Sequence, residues 1–136
     1  MTLVALLGVS VVFMSCSKED NVKKGKLSGS SWVYKDSYSS SVSSYDYTYT
    51  FKFTSDKSGV ATRKGWIQVI NAATWTLKPK EDVDQSQNFT YEYFPEFQHG
   101  FITFASKGIY TVGTHEFFIS DDFKEIRWGS TVYKLQ

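Results

Sequence analysis

The chain of 136 residues has little cysteine, proline or histidine, and it carries almost no net charge. Its single cysteine, Cys16, excludes an internal disulfide. His99 and His115 have no acidic or thiol partners at repeated ligand spacing, so no zinc site is indicated. We expect both histidines to be exposed loop residues. A net charge of +1 indicates neither nucleic acid nor a strongly acidic partner.

Catalytic motifs are lacking as well. There is no Gly-x-Ser-x-Gly, no P-loop and no dinucleotide-binding glycine turn. Asp121 and Asp122 lack the alternating oxygen ligands of a calcium loop, and paired aspartates are typical of hairpin turns. Glu92 and Glu96 flank Pro95 among aromatic residues and could serve as the two carboxylates of a glycosidase, but nothing else supports this interpretation. We therefore predict a protein that is not an enzyme and needs neither cofactor nor metal.

Long apolar runs are limited to residues 3–14. This run is shorter than the roughly 20 residues that span a membrane, and it fits the core of a secretion signal. Residues 13–16, Phe-Met-Ser-Cys, resemble the lipobox of bacterial lipoproteins. The resemblance implies a signal peptide over residues 1–15, cleavage before Cys16, and diacylglycerol and acyl chains (palmitate among them) on that cysteine. The alternatives are an N-terminal strand or buried helix, and a buried structural thiol.

Charged residues begin directly after the cysteine. Lys18, Glu19 and Asp20 resemble the surface-export signal of Bacteroidota lipoproteins, and the alternative is a charged linker. The resemblance implies a protein anchored by lipid in the outer membrane and facing the cell exterior. For residues 16–26 the resemblance implies a lipidated cysteine at position 16, and the lack of apolar periodicity after it predicts a flexible tether.

Residues 27–136 have the size of one domain and a strand-like pattern. Tyr47, Tyr49, Phe51 and Phe53 alternate with polar residues, which predicts a strand with one aromatic face. We predict about ten short strands, over residues 32–35, 47–54, 60–64, 66–70, 74–78, 89–94, 101–105, 109–112, 115–120, 126–128 and 131–135, with a polar loop at 81–87. Short strands at this regular spacing indicate an all-β barrel or sandwich.

Hairpins that follow one another without long crossovers favour an antiparallel up-and-down meander closed as a barrel, with a sandwich as the second choice. An eight-stranded barrel has room for side chains or for one small ligand. Residues 27–32 (Leu-Ser-Gly-Ser-Ser-Trp), 49–51 and 126–135 resemble the lipocalin-like lipoproteins of Bacteroidota. Their domain opens with a Gly-to-Trp strand and ends in a hairpin. The resemblance implies a lipocalin-like β-barrel over residues 27–136.

Aromatic residues on two predicted loops are the candidate binding groups. Tyr34, Tyr38 and Tyr45 lie among serines in residues 34–47, a composition that makes adaptable contacts. A second predicted loop, residues 91–100, carries aromatic residues that can stack on a sugar or a partner. Its candidates are Tyr93, Phe94 and Phe97.

Two functions remain open from the sequence. The first is a barrel that binds a small apolar ligand or a surface partner. The second is a structural or accessory module with a solid aromatic core and no small ligand, which contacts protein or glycan through its loops. They differ in what fills the barrel. If the face of Tyr47, Tyr49, Phe51 and Phe53 points inward, little room remains for a stored ligand.

Overall fold

The computed structural model describes residues 17–136 as an antiparallel all-β structure. Residues 1–16, with the predicted signal peptide and Cys16, lie outside the described residues. The elements in chain order are α1 (Lys18–Lys23), β1 (Ser31–Ser39), β2 (Ser43–Phe53), β3 (Ser58–Asn71), β4 (Thr76–Leu77), β5 (Glu81–Phe94), a 3-10 turn (Pro95–Phe97), β6 (His99–Phe104), β7 (Gly113–Ile119), β8 (Glu125–Trp128) and β9 (Thr131–Leu135).

Eight of the strands form a closed barrel. Each strand pairs antiparallel with the next along the chain, and β4 is a short addition at the end of β3. The ring closes where β9 pairs with β1, with Trp32 opposite Leu135. The prediction of an up-and-down meander closed as a barrel is confirmed, and the sandwich alternative is wrong. Closure leaves the eight barrel strands without the continuous exposed edges of an open sheet.

The barrel interior is packed with aromatic rings. Tyr47, Phe51 and Phe53 are buried and Tyr49 packs against the core, so the aromatic face of β2 points inward as its alternation predicts. Phe53 meets Tyr91 edge to face, with ring centroids 4.7 Å apart. The other large, fully buried side chains are Trp32, Phe104, Phe117, Leu27, Ile102, Ile126 and Val22. This part of the barrel is therefore a solid core.

Two glycines make room for these rings. A Cβ atom on Gly100 would lie 2.5 Å from the Glu92 carbonyl oxygen and overlap the Phe117 ring. A Cβ on Gly59 would overlap the ring of Phe89 in the same way. Glycine at these strand positions lets a large ring lie directly against the backbone of the neighbouring strand.

One end of the barrel is closed by α1. Ser17 caps this helix, since its Oγ accepts a hydrogen bond from the Asp20 amide at 3.2 Å. Val22 is fully buried in the core, and its carbonyl oxygen accepts a hydrogen bond from the Tyr93 hydroxyl at 3.3 Å. Lys18 Nζ donates to the Gln136 main-chain oxygen. Residues 18–23 therefore form a packed helix within the stretch, residues 16–26, for which the sequence predicts a flexible tether.

The predicted strand boundaries need correction in several places. Residues 60–64 and 66–70 form one strand, β3, and the predicted polar loop 81–87 is the first half of β5, paired with β3. Of residues 74–78 only Thr76–Leu77 are in a strand, and residues 109–112 form none. The strands of the barrel are consequently fewer and longer than predicted.

Both predicted binding loops are mostly strands. β1 and β2 run through residues 34–47 and leave only residues 40–42 as the turn between them. β5 continues to Phe94, and His99 begins β6. Among residues 17–136 no helix has the length and apolar character needed to cross a membrane.

Candidate ligand-binding site

The two ends of the barrel differ. The closed end carries α1 and the turns that join β2 to β3, β5 to β6 and β7 to β8. The opposite end, which we call the open end, carries the connections from β1 to β2, from β3 to β5, from β6 to β7 and from β8 to β9. At the open end β3 and β5 continue past the shorter strands, because β5 pairs with β3 from Glu81 but with β6 only from Thr90.

A recess opens into the barrel at this end. It encloses about 280 Å³, and we call it the tyrosine recess. Its lining residues are Tyr34, Asp36, Tyr49, Tyr110, Trp128, Thr131 and Tyr133. Phe51 forms its floor, with its ring centroid 4.7 Å from that of Tyr133 and 5.1 Å from that of Trp128. A larger hollow of about 660 Å³ lies on the outer wall beside Thr90 and Thr103, where side chains of β5 and β6 face solvent.

The walls of the recess come from neighbouring strands. Tyr34 on β1 lies opposite Tyr49 on β2, with ring centroids 5.9 Å apart. The ring of Tyr34 is also 5.7 Å from that of Tyr133 on β9. The aromatic rings follow the inward alternation of three adjacent strands, so the barrel backbone sets their positions.

Tyr110 reaches the recess from the connection between β6 and β7. The buried amide of Gln87 holds this connection, since its Oε1 accepts from the Tyr110 amide at 2.8 Å. Its Nε2 donates to the carbonyl oxygens of Ser106 at 2.7 Å and Tyr110 at 3.1 Å. A buried amide with all of these partners fixes a segment that lies outside any strand.

Hydroxyl groups meet at the bottom of the recess. The oxygens of Tyr110 and Tyr133 are 2.6 Å apart and share one hydrogen bond. Burial raises the pKa of Tyr110 to about 12, and burial together with the neighbouring Tyr110 raises the pKa of Tyr133. Both hydroxyls are therefore protonated at neutral pH. One proton joins the two oxygens, and the other is available to a bound molecule.

The recess has one carboxylate. Asp36 lies at its edge on β1 and accepts a hydrogen bond from the Tyr45 hydroxyl at 3.3 Å. The nearby Arg63 is engaged elsewhere, since its Nε donates to Gln85 Oε1 at 2.9 Å and its guanidinium lies 5.1 Å from the Tyr47 ring centroid. The hydrogen bond from Tyr45 uses Oδ2 of Asp36, so Oδ1 can accept a hydrogen bond from a ligand.

The predicted residues Tyr34, Tyr38 and Tyr45 are brought together by the structure. Tyr38 and Tyr45 stack with centroids 5.7 Å apart, and Tyr45 stacks on Tyr47 at 4.8 Å. Tyr34 lines the recess itself. These rings form a continuous row that leads from the open end into the tyrosine recess. They lie on strands rather than on a mobile loop, which corrects the sequence-based interpretation.

The second predicted group lies at the closed end and does not join the first. Tyr93 packs inward on Phe117 at 6.1 Å, and burial, with Glu96 adding to it, raises its pKa to about 12. Phe94 and Phe97 are exposed on the outside. Tyr93 therefore supports the core, and the two phenylalanines belong to a different surface.

Sequence reasoning missed Asp36, Tyr110 and Tyr133. Asp36 follows Tyr34 at the period-two spacing of β1, and Tyr133 follows Thr131 in the same way on β9. This alternation could have placed both on the inner face. No local signal identifies Tyr110, because its position depends on the distant Gln87.

Metal ligands do not converge among residues 17–136, where no group of three or more His, Cys, Asp and Glu side chains could hold an ion. His99 Nε2 lies 3.3 Å from Glu116 Oε2, and His115 Nε2 lies 3.0 Å from the Thr111 carbonyl oxygen. Both histidines are half-buried strand residues, which corrects the expectation of exposed loops.

The fold and the recess define a class: a small closed antiparallel barrel with a solid lower core and an open, tyrosine-lined end. Comparisons of the chain with models of protein families, with curated proteins and with solved structures found no significant match.

Proposed function

We propose that this chain is a lipid-anchored binding protein of the outer membrane, facing the exterior, that holds one ring of a polar ligand in the tyrosine recess. An open recess above a solid core carries this proposal. Ligand pockets usually enclose roughly 300–1,000 Å³, so about 280 Å³ suits one ring or one chain end. Because Phe51 and the rings below it fill the barrel, a stored apolar ligand is disfavoured.

The chemistry of the lining favours a saccharide. Sugar rings have apolar C–H faces that pack on aromatic rings, and Tyr34, Tyr49 and Trp128 offer such rings. Sugar hydroxyls need donors and acceptors at the edge of the ring. Asp36 and Thr131 accept there, and the hydroxyl pair of Tyr110 and Tyr133 supplies a donor.

Removing the charge of Asp36 is expected to weaken saccharide binding by roughly tenfold to a hundredfold. Hydrogen bonds to charged groups contribute about 1.5–3 kcal/mol, and each 1.4 kcal/mol is tenfold in affinity. The Asp36→Asn variant keeps the shape of the side chain and an acceptor for the Tyr45 hydroxyl. Binding is measured on a glycan array and then by calorimetric titration with the best saccharide.

Asp46→Asn is the matched control. Asp46 lies on β2 beside the same part of β1, opposite Ser37, but its side chain is exposed on the outer face. We expect its affinity to equal that of the parent chain. An equal loss of affinity in both variants, or an unchanged affinity of the Asp36→Asn variant, would show that the tyrosine recess is not the saccharide site.

The lipid anchor is proposed at Cys16. We expect Cys16→Ala to abolish incorporation of an alkyne fatty acid, because the thiol and the new amine would no longer be acceptors. One acyl chain holds a protein only marginally at about 0.8 kcal/mol per buried methylene, so two or three chains are needed for stable attachment. Undiminished labelling of the alanine variant would contradict the lipobox interpretation.

A second variant separates anchoring from export. Replacing Lys18, Glu19 and Asp20 by alanine is expected to keep fatty-acid labelling and to protect the protein from protease added to whole cells. Lys18 also contacts Gln136, so the thermal stability of this variant must be compared with that of the parent chain. Unchanged protease sensitivity in a stable variant would refute the export signal.

Exposed apolar side chains at the open end support the alternative function, that of a structural or accessory module. The open end exposes several apolar side chains around the recess, namely Tyr38, Val42, Trp75, Leu77 and Val112. Trp75 is 78% exposed, and tryptophan is a common anchor of protein interfaces. If Trp75→Ser abolishes crosslinking to an outer-membrane protein while Asp36→Asn changes nothing, this second function replaces saccharide binding.

A further inference from the structure

The closed end carries a second group of exposed aromatic side chains, which we call the closed-end phenylalanines: Phe94, Phe97 and Phe118. Phe97, in the turn between β5 and β6, is 74% exposed. Phe118 stacks on His99 with centroids 4.6 Å apart, and Phe94 lies beside Phe101 at 6.5 Å. The candidate binding site at the open end uses none of these rings.

The chain enters the barrel at this same end. Ser17 is bonded to Cys16, and neighbouring Cα atoms are about 3.8 Å apart. Ser17 caps α1, and the buried side chain of Val22 packs α1 against the core. Because Cys16 directly precedes Ser17 in the chain, one peptide bond separates the proposed acylation site from the N-cap of α1.

The turn of Phe97 is packed against the end of this helical segment. A Cβ atom on Gly25 would lie 3.0 Å from Pro95 Cγ, which shows how closely the two segments approach. Lys23, the last residue of α1, and Lys26, three residues beyond it, are exposed at the same end. Exposed aromatic rings and lysines at one end of a domain suit the boundary between acyl chains and anionic head groups.

We propose that the closed end rests on the lipid surface, with Phe97 in the head-group region and the tyrosine recess pointing away from the membrane. The proposal rests on the proposed lipid anchor at Cys16. A lipid surface is the occupant because chain continuity brings the acylated cysteine to this end of the barrel. The nine residues of β1 rise roughly 30 Å at about 3.4 Å per residue, so the two ends are well separated.

The test uses the full lipidated protein in vesicles of phosphatidylethanolamine and phosphatidylglycerol. Since lipidation consumes the thiol of Cys16, a cysteine introduced by Phe97→Cys or Trp75→Cys is the one free thiol. Each is labelled with a polarity-sensitive nitrobenzoxadiazole dye. Both parent residues are exposed aromatics in turns or connections, so Trp75→Cys is the matched control for the open end.

We expect the dye at position 97 to shift to shorter wavelength and to be quenched by spin-labelled lipid, while the dye at position 75 stays in water. Quenching at position 75, or vesicle-bound protein with neither dye quenched, would overturn the orientation and leave the anchor intact. Protein that fails to float with the vesicles would overturn the anchor and the orientation together. Circular dichroism of both variants checks that the barrel is folded.

Discussion

Replacing Phe51 by alanine is expected to lower the free energy of unfolding by about 3–5 kcal/mol, the usual cost of truncating a buried phenylalanine. Phe51 is fully buried, and its ring lies 4.7–5.7 Å from the rings of Tyr133, Trp128, Tyr110 and Phe89. Three of these neighbours belong to three different strands and Tyr110 belongs to the β6–β7 connection, so they cannot collapse into the space without moving the barrel wall. Equilibrium urea denaturation measures the change.

The neighbouring Lys52→Ala variant is the control. Lys52 is exposed on the outer face of β2, and we expect a change within about 0.5 kcal/mol. Phe51→Ala should also deepen the tyrosine recess by the space of one ring, so that the recess takes up small aromatic molecules such as benzene. A loss of less than about 1 kcal/mol without such uptake would contradict the packing described for the recess floor.

Placing a charge at Val22 is expected to destabilise the protein by about 3–5 kcal/mol, as an unpaired buried charge does. Val22 is fully buried where α1 closes the barrel. The Val22→Asp variant should unfold at lower urea concentration or release α1 from the closed end. Chemical denaturation measures stability, and limited proteolysis detects release through new cleavage between Ser17 and Leu27.

Ser28→Asp is the control, because Ser28 is exposed at the same end and gains the same charge. We expect it to match the parent chain within about 0.5 kcal/mol. This comparison separates the two interpretations of residues 17–26, since a flexible tether tolerates both substitutions equally. Equal stability of the two variants would show that α1 does not pack on the barrel. The proposed membrane orientation would then lose its basis.

The all-β architecture could be predicted because alternation within one strand records which face is buried. Tyr47, Tyr49, Phe51 and Phe53 show this directly, and the structure places them on the inner face. Closure followed from hairpins without crossovers. The lipid anchor, export and the lipocalin-like kinship came from resemblance, and they remain predictions.

The polar half of β5 and the short helix α1 could not be found in this way. Residues 81–87 carry acidic and amide side chains, mostly exposed, so no burial pattern marks them, and their pairing with β3 alone makes them a strand. α1 has six residues and a single buried one, Val22, which is too little for an amphipathic signal. A local sequence pattern cannot identify a strand or helix whose stability depends on one contact with a distant part of the chain.

The sequence by itself determined a single all-β domain with an inward aromatic face, because period-two alternation reflects the pleat of each strand. Only the tertiary structure decided that the rings fill one end and leave the other open. Tyr34, Asp36, Tyr110 and Tyr133 meet because β1 pairs with β9 and Gln87 holds a distant connection. Contacts between residues so far apart along the chain have no local signature, and the candidate site consists of such contacts.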